Sequence, residues 1–345
     1  MTSYSWVVLN FNELSPVDKI LLETRKLCFS YGDQPIVKNI SLKLRQGEVL
    51  GLIGHSGSGK TSLLQLLAGL LEPEQGSVLY EGREVEGPSK RLIPGHDEIK
   101  LVKQDFELMP YLSVEDNILR QSLSLSEHAR ARLLGHLRSR LQLQNVRGRK
   151  AEQTSGGQKQ RVALATALAT QARVLLLDEP FSNLDFALKQ DLIQMLRTEW
   201  KPEAMILVTH EPGDMLALAD RVIAMKNGRI QQSGSTEEVY KHPKNEYVAR
   251  LLGPVNVLSA ENARKWGIDS SIPLLVRPAE IRVSRENGVE GKVSQCRFAG
   301  DGYLLQVSFD SFELEVWSRE PFTDGTVVKL QIENKKAPSA GKRLL

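Results

Sequence analysis

Apolar and polar positions along this chain follow one rhythm up to about residue 252 and another beyond it. In the first part, strand-like stretches at 23–30, 38–44 and 48–53 lead into a glycine-rich turn. Residues 61–71 place Leu63, Leu64, Leu67 and Leu71 near helical spacing, which predicts a helix. Strands are expected at 76–80 and 99–103, and helices at 114–120 and 126–143. The second of these helices has Ala129, Leu133, Leu134, Leu137 and Leu141 on one face. A helix over 156–170 follows, then an almost wholly apolar strand at 173–177, a helix over 186–200, a strand at 204–208 and a helix over 212–219. Strands between 221 and 231 and helices up to 252 complete this part. Alternating strands and helices imply an α/β fold, a mostly parallel sheet with helices on both faces.

Beyond Gly253-Pro254 the period becomes two. Tyr303, Leu305, Val307 and Phe309 alternate with other residues, as do Phe312, Leu314 and Val316, and then Val328, Leu330 and Ile332. Asp301-Gly302, Asp310-Ser311 and Asp324-Gly325 are turn signals between them. The pattern predicts a small all-β, barrel-like module over 254–333. Residues 1–20 carry no motif and are expected to be an N-terminal extension. The polar, basic segment 334–345 is expected to be a flexible tail.

Composition changes this picture little. A length of 345 residues suits about two domains, and 41% hydrophobic with 25% charged residues is ordinary globular usage. Cys28 and Cys296 lie far apart, which fits a reducing compartment better than a disulfide framework. A net charge of +3 is too small to argue for nucleic acid. No apolar run approaches the roughly 18 residues of a membrane-spanning helix, and no leader pattern opens the chain. A soluble, cytoplasmic protein is expected, with any membrane role exerted through partners. One local charge bias stands out. Arg130, Arg132, Arg138, Arg140, Arg147, Arg149 and Lys150 face a single acid, Glu127, within 126–150. That is either a solvated helix face or a surface held near anionic headgroups.

The candidate chemistry begins in the turn before the first helix. Gly54-His55-Ser56-Gly57-Ser58-Gly59-Lys60-Thr61 fits the phosphate-binding loop spacing, between a strand and a helix as that loop requires. Glycines let successive N–H groups converge on phosphate oxygens, and the helix adds its unpaired N–H groups and dipole. Lys60 would neutralise β/γ-phosphate charge and Thr61 would hold Mg²⁺. Ser62, next in the chain, is given no role. The strand at 173–177 ends in Asp178-Glu179, at the carboxyl edge where ligand chemistry sits in open α/β sheets. Asp178 is placed to act on Mg²⁺, and Glu179 to orient and activate the attacking water.

Thr154-Ser155-Gly156-Gly157-Gln158, followed by Lys159-Gln160-Arg161, lies just before that strand and resembles the signature motif of the ABC ATPases. Gln104 resembles their Q-loop glutamine, Ser182-Asn183-Leu184-Asp185 their D-loop, His210 their switch histidine, and Tyr31 the aromatic that stacks on adenine. Singly these are weak, but their order and spacing around two strong motifs cover residues 21 to about 250. The signature starts with Thr154 where the family usually has Leu, and Thr166 stands where the helix commonly carries Arg. Leu275-Val276-Arg277-Pro278-Ala279-Glu280-Ile281, and the glycine-rich stretch ending Phe298-Ala299-Gly300, resemble the TOBE-type accessory domain of importer ATPases. Family members commonly have Glu where Ala279 stands.

The resemblance implies a P-loop NTPase of ABC type over 21–253, with a helical subdomain inserted at about 105–150, and a TOBE-like β domain over 254–333. It implies ATP hydrolysis with Mg²⁺. Glu179, His210 and Gln104 would be catalytic, and Thr61, Gln104 and Asp178 would serve the metal. Tyr31, residues 54–61, the Ser155-Gly156-Gly157-Gln158 turn and Asp185 would bind nucleotide. Because the signature caps the γ-phosphate on the other protomer, a homodimer or pseudo-symmetric ATPase dimer is implied. Transmembrane permease subunits, and for an importer a solute-binding protein, would be partners at the cytoplasmic face of the membrane. Nucleic acid would not. The implied task is powering import of a small solute or ion such as a polyamine or iron. An exporter or lipid-extraction motor is the alternative, against which the TOBE-like segment argues. A soluble ABC ATPase of DNA repair or translation would show coiled-coil insertions or tandem cassettes. A dead binding protein would lack Lys60, Asp178, Glu179 or His210.

Overall fold

The computed structural model describes residues 19–333 except 104–107, 121, 123–124, 171, 183, 199–202 and 285. The expected extension and tail, together with Gln104 and Asn183, lie wholly or mostly outside the described residues. The chain divides into two compact units between Ser233 and Gly234.

The first unit opens with β1 (Ile20–Tyr31) and β2 (Gln34–Arg45), a long antiparallel hairpin turning at Gly32-Asp33. A two-residue connection permits only antiparallel pairing, so these strands do not join the parallel sheet. They form a separate four-stranded sheet, in the order β2-β1-β4-β5, with β4 (Gln75–Tyr80) and β5 (Arg83–Glu84). Between them come β3 (Val49–Ile53) and α1 (Lys60–Leu67). The helix stops four residues short of the expected Leu71, because Gly69 takes a φ of +71° that an α-helix cannot continue.

Then follow β6 (Ile99–Val102), α2 (Val114–Leu119), α3 (Glu127–Arg140), α4 (Gly156–Ala169), β7 (Val174–Asp178), α5 (Phe186–Thr198), β8 (Ala204–Val208), α6 (Pro212–Leu218), β9 (Arg221–Lys226) and β10 (Arg229–Ser235). The second sheet has the order β10-β9-β3-β8-β7-β6, and its β9-β3-β8-β7-β6 pairs are parallel. Alternate residues of β7 and β8 serve opposite faces. Val174, Leu176, Ile206 and Val208 join the core shared with α1 and the first sheet. Leu175, Leu177, Met205 and Leu207 join the core shared with α2 to α5. Burial on both sides is why these strands read as unbroken apolar runs. On α3 only Leu137 of the expected face is fully buried, with Leu141 just beyond the helix, while Leu133 and Leu134 pack at the margin.

The second unit begins with α7 (Thr236–Lys241) and α8 (Glu246–Leu251), so Gly253-Pro254 lies inside it rather than at its edge. Arg277 accounts for this grouping. Its Nη1 donates to the carbonyls of Ala249, Gly253 and Pro254 at 2.9, 2.9 and 3.0 Å, and its guanidinium lies 4.4 Å from the Tyr240 ring centroid. Strand β11 (Asn256–Leu258), helix α9 (Ala260–Arg264) and strand β12 (Leu274–Val276) lead to β13 (Ile281–Ser284), β14 (Val289–Phe298), β15 (Tyr303–Ser308), β16 (Glu313–Ser318) and β17 (Val327–Ile332). The last five form an antiparallel sheet in the order β13-β17-β14-β15-β16. Its inward positions, Val293, Leu305, Val307, Leu314, Val316, Val328 and Leu330, make a separate core. Six of the period-two positions of the sequence are among them, while Tyr303, Phe309, Phe312 and Ile332 are only partly buried and pack against this core.

Candidate functional site

The carboxyl ends of β3, β7 and β8 lie side by side, since Leu52 and Asp178 both pair with Val208. Each end delivers one part of the site. From β3 the chain enters the loop 54–59, and Gly59 starts α1 in a left-handed conformation, φ +97°. A Cβ there would sit 2.8 Å from the Ile36 carbonyl oxygen, so only glycine fits. Lys60 folds back over the loop it follows. Its Nζ donates to the carbonyls of Gly54 at 2.7 Å and His55 at 3.1 Å, and to Ser58 Oγ at 3.4 Å. Ser58 is buried, whereas His55, Ser56, Gly57 and Thr61 face outward.

From β7 come the two carboxylates. Burial pushes Asp178 above the usual carboxylate range, while the hydrogen bond with Thr61 and the charge of Lys60 pull it back. Burial lowers Lys60 in turn, opposed by Glu179 and Asp178. One cation and two anions therefore share a partly dry site. Thr61 and Asp178 together offer a hydroxyl and a carboxylate oxygen, hard donors of the kind Mg²⁺ takes beside phosphate.

Glu179 turns out of the strand at φ +55°, a left-handed conformation that costs a non-glycine residue about 1–3 kcal/mol. The turn is held on three sides. The Glu179 N–H donates to the Val208 carbonyl at 3.0 Å, and its own carbonyl accepts from Gln160 Nε2 at 3.0 Å and from Ser182 Oγ at 3.2 Å. Its carboxylate Oε2 lies 2.7 Å from Nδ1 of His210, which follows β8. Glu179 is mostly covered and His210 mostly open, so the pair sits at the lip of the site.

The remaining expected residues hold their own turns. Ser155 caps α4: its Oγ accepts the Gln158 N–H at 3.4 Å, and Gln158 Oε1 accepts the Ser155 N–H at 2.9 Å. This reciprocal cap leaves Ser155 and Gly156 exposed, with open space around Gly156. Asp185 caps α5 by accepting the Leu188 N–H at 3.0 Å. Tyr31 is exposed at the tip of β1 and packs edge-on against Phe29 at 4.8 Å. The structure thus joins Lys60, Thr61, Asp178, Glu179 and His210, whereas Tyr31, the signature turn and Asp185 bond locally.

The two departures from the family pattern have local explanations. Thr154 is buried and donates to the Ala151 carbonyl at 2.7 Å, closing the turn before the signature. Thr166 is buried and donates to the carbonyls of Val162 at 2.8 Å and Asn117 at 3.2 Å, tying α4 to α2. Gln160 was legible only as a polar residue in a helix otherwise buried by Val162, Leu164, Ala165 and Leu168. Its partner, a backbone carbonyl 19 positions away, leaves no mark in the sequence.

Residues 37–182 match the family model described as ABC transporter. The spermidine/putrescine import ATP-binding protein PotA of Acetivibrio thermocellus is 31% identical over 337 residues, covering 91% of this chain and 94% of that protein. The sulfate/thiosulfate import ATP-binding protein CysA of Synechococcus elongatus is 35% identical over 278 residues, 78% of this chain and 79% of that one. Among solved structures, the dimeric MJ0796, a bacterial ABC transporter cassette, aligns with a TM-score of 0.57 at 26% identity, over 63% of this chain and 99% of that one.

Proposed function

Because this chain belongs to the ABC transporter family, as an importer-type ATP-hydrolysing subunit, we propose that it powers uptake of a polyamine or similar small solute through a partner permease. The observation that carries the reading is the meeting of Lys60, Thr61, Asp178, Glu179 and His210 on one sheet edge. The solute follows from the near-complete span of a relative named for spermidine/putrescine import.

In the proposed cycle Lys60 releases the loop carbonyls and turns its ammonium to the β/γ-phosphates, while the N–H groups of the loop and of α1 surround them. Tyr31 stacks on the adenine. Thr61 and Asp178 would hold Mg²⁺, which supplies charge neutralisation at the phosphates when bound. Glu179 accepts a proton from the attacking water, and His210 keeps the carboxylate aimed. Hydrolysis yields ADP and phosphate. The exposed turn Ser155-Gly156-Gly157-Gln158, with Asp185, would serve the nucleotide of a second copy, so the working unit is a dimer.

No described helix is long and apolar enough to cross a membrane. In this reading the chain sits on the cytoplasmic face beneath the permease, and its second unit acts as the TOBE-like accessory domain. The test is reconstitution in vesicles with a partner permease and a spermidine-binding solute-binding protein. Spermidine-loaded binding protein should raise ATP turnover and drive uptake, and sulfate should do neither. Stimulation by sulfate alone, or export of preloaded spermidine, would overturn the assignment.

A further inference from the structure

The left-handed turn at Glu179 needs something to hold it. Two peptide planes flank the Glu179 Cα. The preceding one is pinned by the N–H bond to Val208 at 3.0 Å, the following one by Gln160 Nε2 at 3.0 Å, Ser182 Oγ at 3.2 Å and, more loosely, the Ser182 N–H at 3.4 Å. With both planes fixed, the Cα–Cβ bond has one direction, and the carboxylate can reach His210 only along it. We infer that Gln160 is a positioning residue for hydrolysis, holding the Glu179 carbonyl and thereby aiming the Glu179 carboxylate.

Several observations bear on this beyond the distance. Gln160 is 3% exposed, and a buried amide is retained at a cost unless it is hydrogen-bonded. Its amide has a single orientation that suits its neighbours, because a carbonyl oxygen needs a donor and only Nε2 donates. The same Nε2 donates to Ser182 Oγ at 3.3 Å, so the two groups that grip the Glu179 carbonyl also grip each other. The φ of +55° at Glu179 is a conformation that persists only where its surroundings over-determine it. Among the described residues, the side-chain grip on its carbonyl from a helix of the core comes from α4. The inference rests on the reading of Glu179 as the general base.

The experiment compares steady-state ATP turnover, affinity for a fluorescent ATP analogue, and thermal melting of the full chain. Gln160→Met fills the same volume without donors. A misaimed base at a fixed distance from its target should lower kcat by about 10- to 100-fold, with nucleotide affinity held within about twofold. Gln160→Asn, which keeps the amide on a shorter arm, should recover part of that loss. A kcat for Gln160→Met within about threefold of the unsubstituted chain, or a loss confined to nucleotide affinity, would overturn the inference. Should Gln160→Met fail to fold, Ser182→Ala removes the Oγ donor, leaving the Ser182 N–H at 3.4 Å from the same carbonyl, and should still lower kcat with affinity unchanged. An unaltered kcat there would count against it equally. Glu179→Gln separates the two claims. If that variant turns over normally, the base assignment fails and takes this inference with it. If Glu179→Gln is inactive while Gln160→Met is fully active, only the positioning role falls.

Discussion

The Nζ of Lys60 lies 2.7 Å from the carbonyl oxygen of Gly54, the first residue of its own phosphate loop. The lysine therefore folds back onto the carbonyls of the loop it follows. Bonds to neutral carbonyls are weaker than those to a phosphate, and burial already disfavours the ammonium. Nucleotide should displace the self-contact. Lys60→Ala should weaken ATP binding by about 1.5–3 kcal/mol, roughly 10- to 150-fold, as read by titration calorimetry. The loop itself should keep its shape, because Gly59 and the Ser58 N–H to His55 carbonyl bond do not depend on the lysine. Unchanged affinity would remove Lys60 from the phosphate site.

Glu179→Gln keeps the shape of the side chain and leaves the donors to the Glu179 carbonyl in place, but removes the proton acceptor. Turnover should fall by about 10²–10⁴, ATP should still bind, and dimers should accumulate with ATP on gel filtration. His210→Ala acts through the carboxylate it holds at 2.7 Å, so its kcat should fall less than that of Glu179→Gln, with ATP affinity unchanged. A larger effect at His210 would reverse the roles assigned to the pair.

How much of this was legible before the structure depends on what each contact leaves in the sequence. The parallel strands were legible because β7 and β8 are buried on both faces and so read as apolar runs. The separate antiparallel sheet was not, because pairing partners are set by connection length: the turn at Gly32-Asp33 holds β1 against β2, not against β3. The site residues carried by spacing, Lys60, Asp178 and Glu179, stood out through backbone chemistry that demands glycines and a strand end. Gln160 did not, since a carbonyl partner has no residue identity. The grouping of α7 and α8 with the second unit was likewise hidden, because Arg277 binds main-chain oxygens.

Tyr31 is 53% exposed and meets Phe29 edge-on, ring centroids 4.8 Å apart. That is the geometry of a stacking platform, and its contact with a base should be worth about 1–3 kcal/mol. Tyr31→Ala should raise the ATP dissociation constant accordingly, and Tyr31→Trp should not. Because stacking is tolerant of base identity, GTP and ATP should lose affinity alike. Equal affinities in Tyr31→Ala and the unsubstituted chain would place adenine elsewhere.

The basic segment 126–150 divides into paired and outward-facing arginines. Arg138 lies 3.5 Å from Glu115 and is partly covered, so reversing it would damage the fold as well as the surface. Arg132 and Arg147 are exposed. Near anionic headgroups each is worth about 1 kcal/mol, screened over a Debye length of about 10 Å at 0.1 M salt. Arg132→Glu with Arg147→Glu should weaken sedimentation with phosphatidylserine vesicles at low salt and leave soluble ATP turnover intact. Equal sedimentation at low salt would make this face an ordinary solvated one.

Ending the chain after Leu252 tests whether the two units fold separately. All the groups proposed as catalytic lie before Glu211, within the first unit. The β sheet from β13 to β17 buries its own core. The truncated chain should therefore fold and bind ATP with unchanged affinity. It will lack Arg277, whose guanidinium is buried and satisfies the carbonyls of Ala249, Gly253 and Pro254. Helices α7 and α8 should fray, visible as fast amide exchange over 236–252, while exchange in β3, β7 and β8 stays slow. A chain ending after Ser235 should bind ATP equally well, because it discards only the frayed segment. In the full-length chain Arg277→Ala should reproduce that fraying at a cost of about 1.5–3 kcal/mol for each charged bond lost, less what water restores. If the chain ending after Leu252 aggregates or loses ATP binding, the second unit is needed to complete the fold of the first.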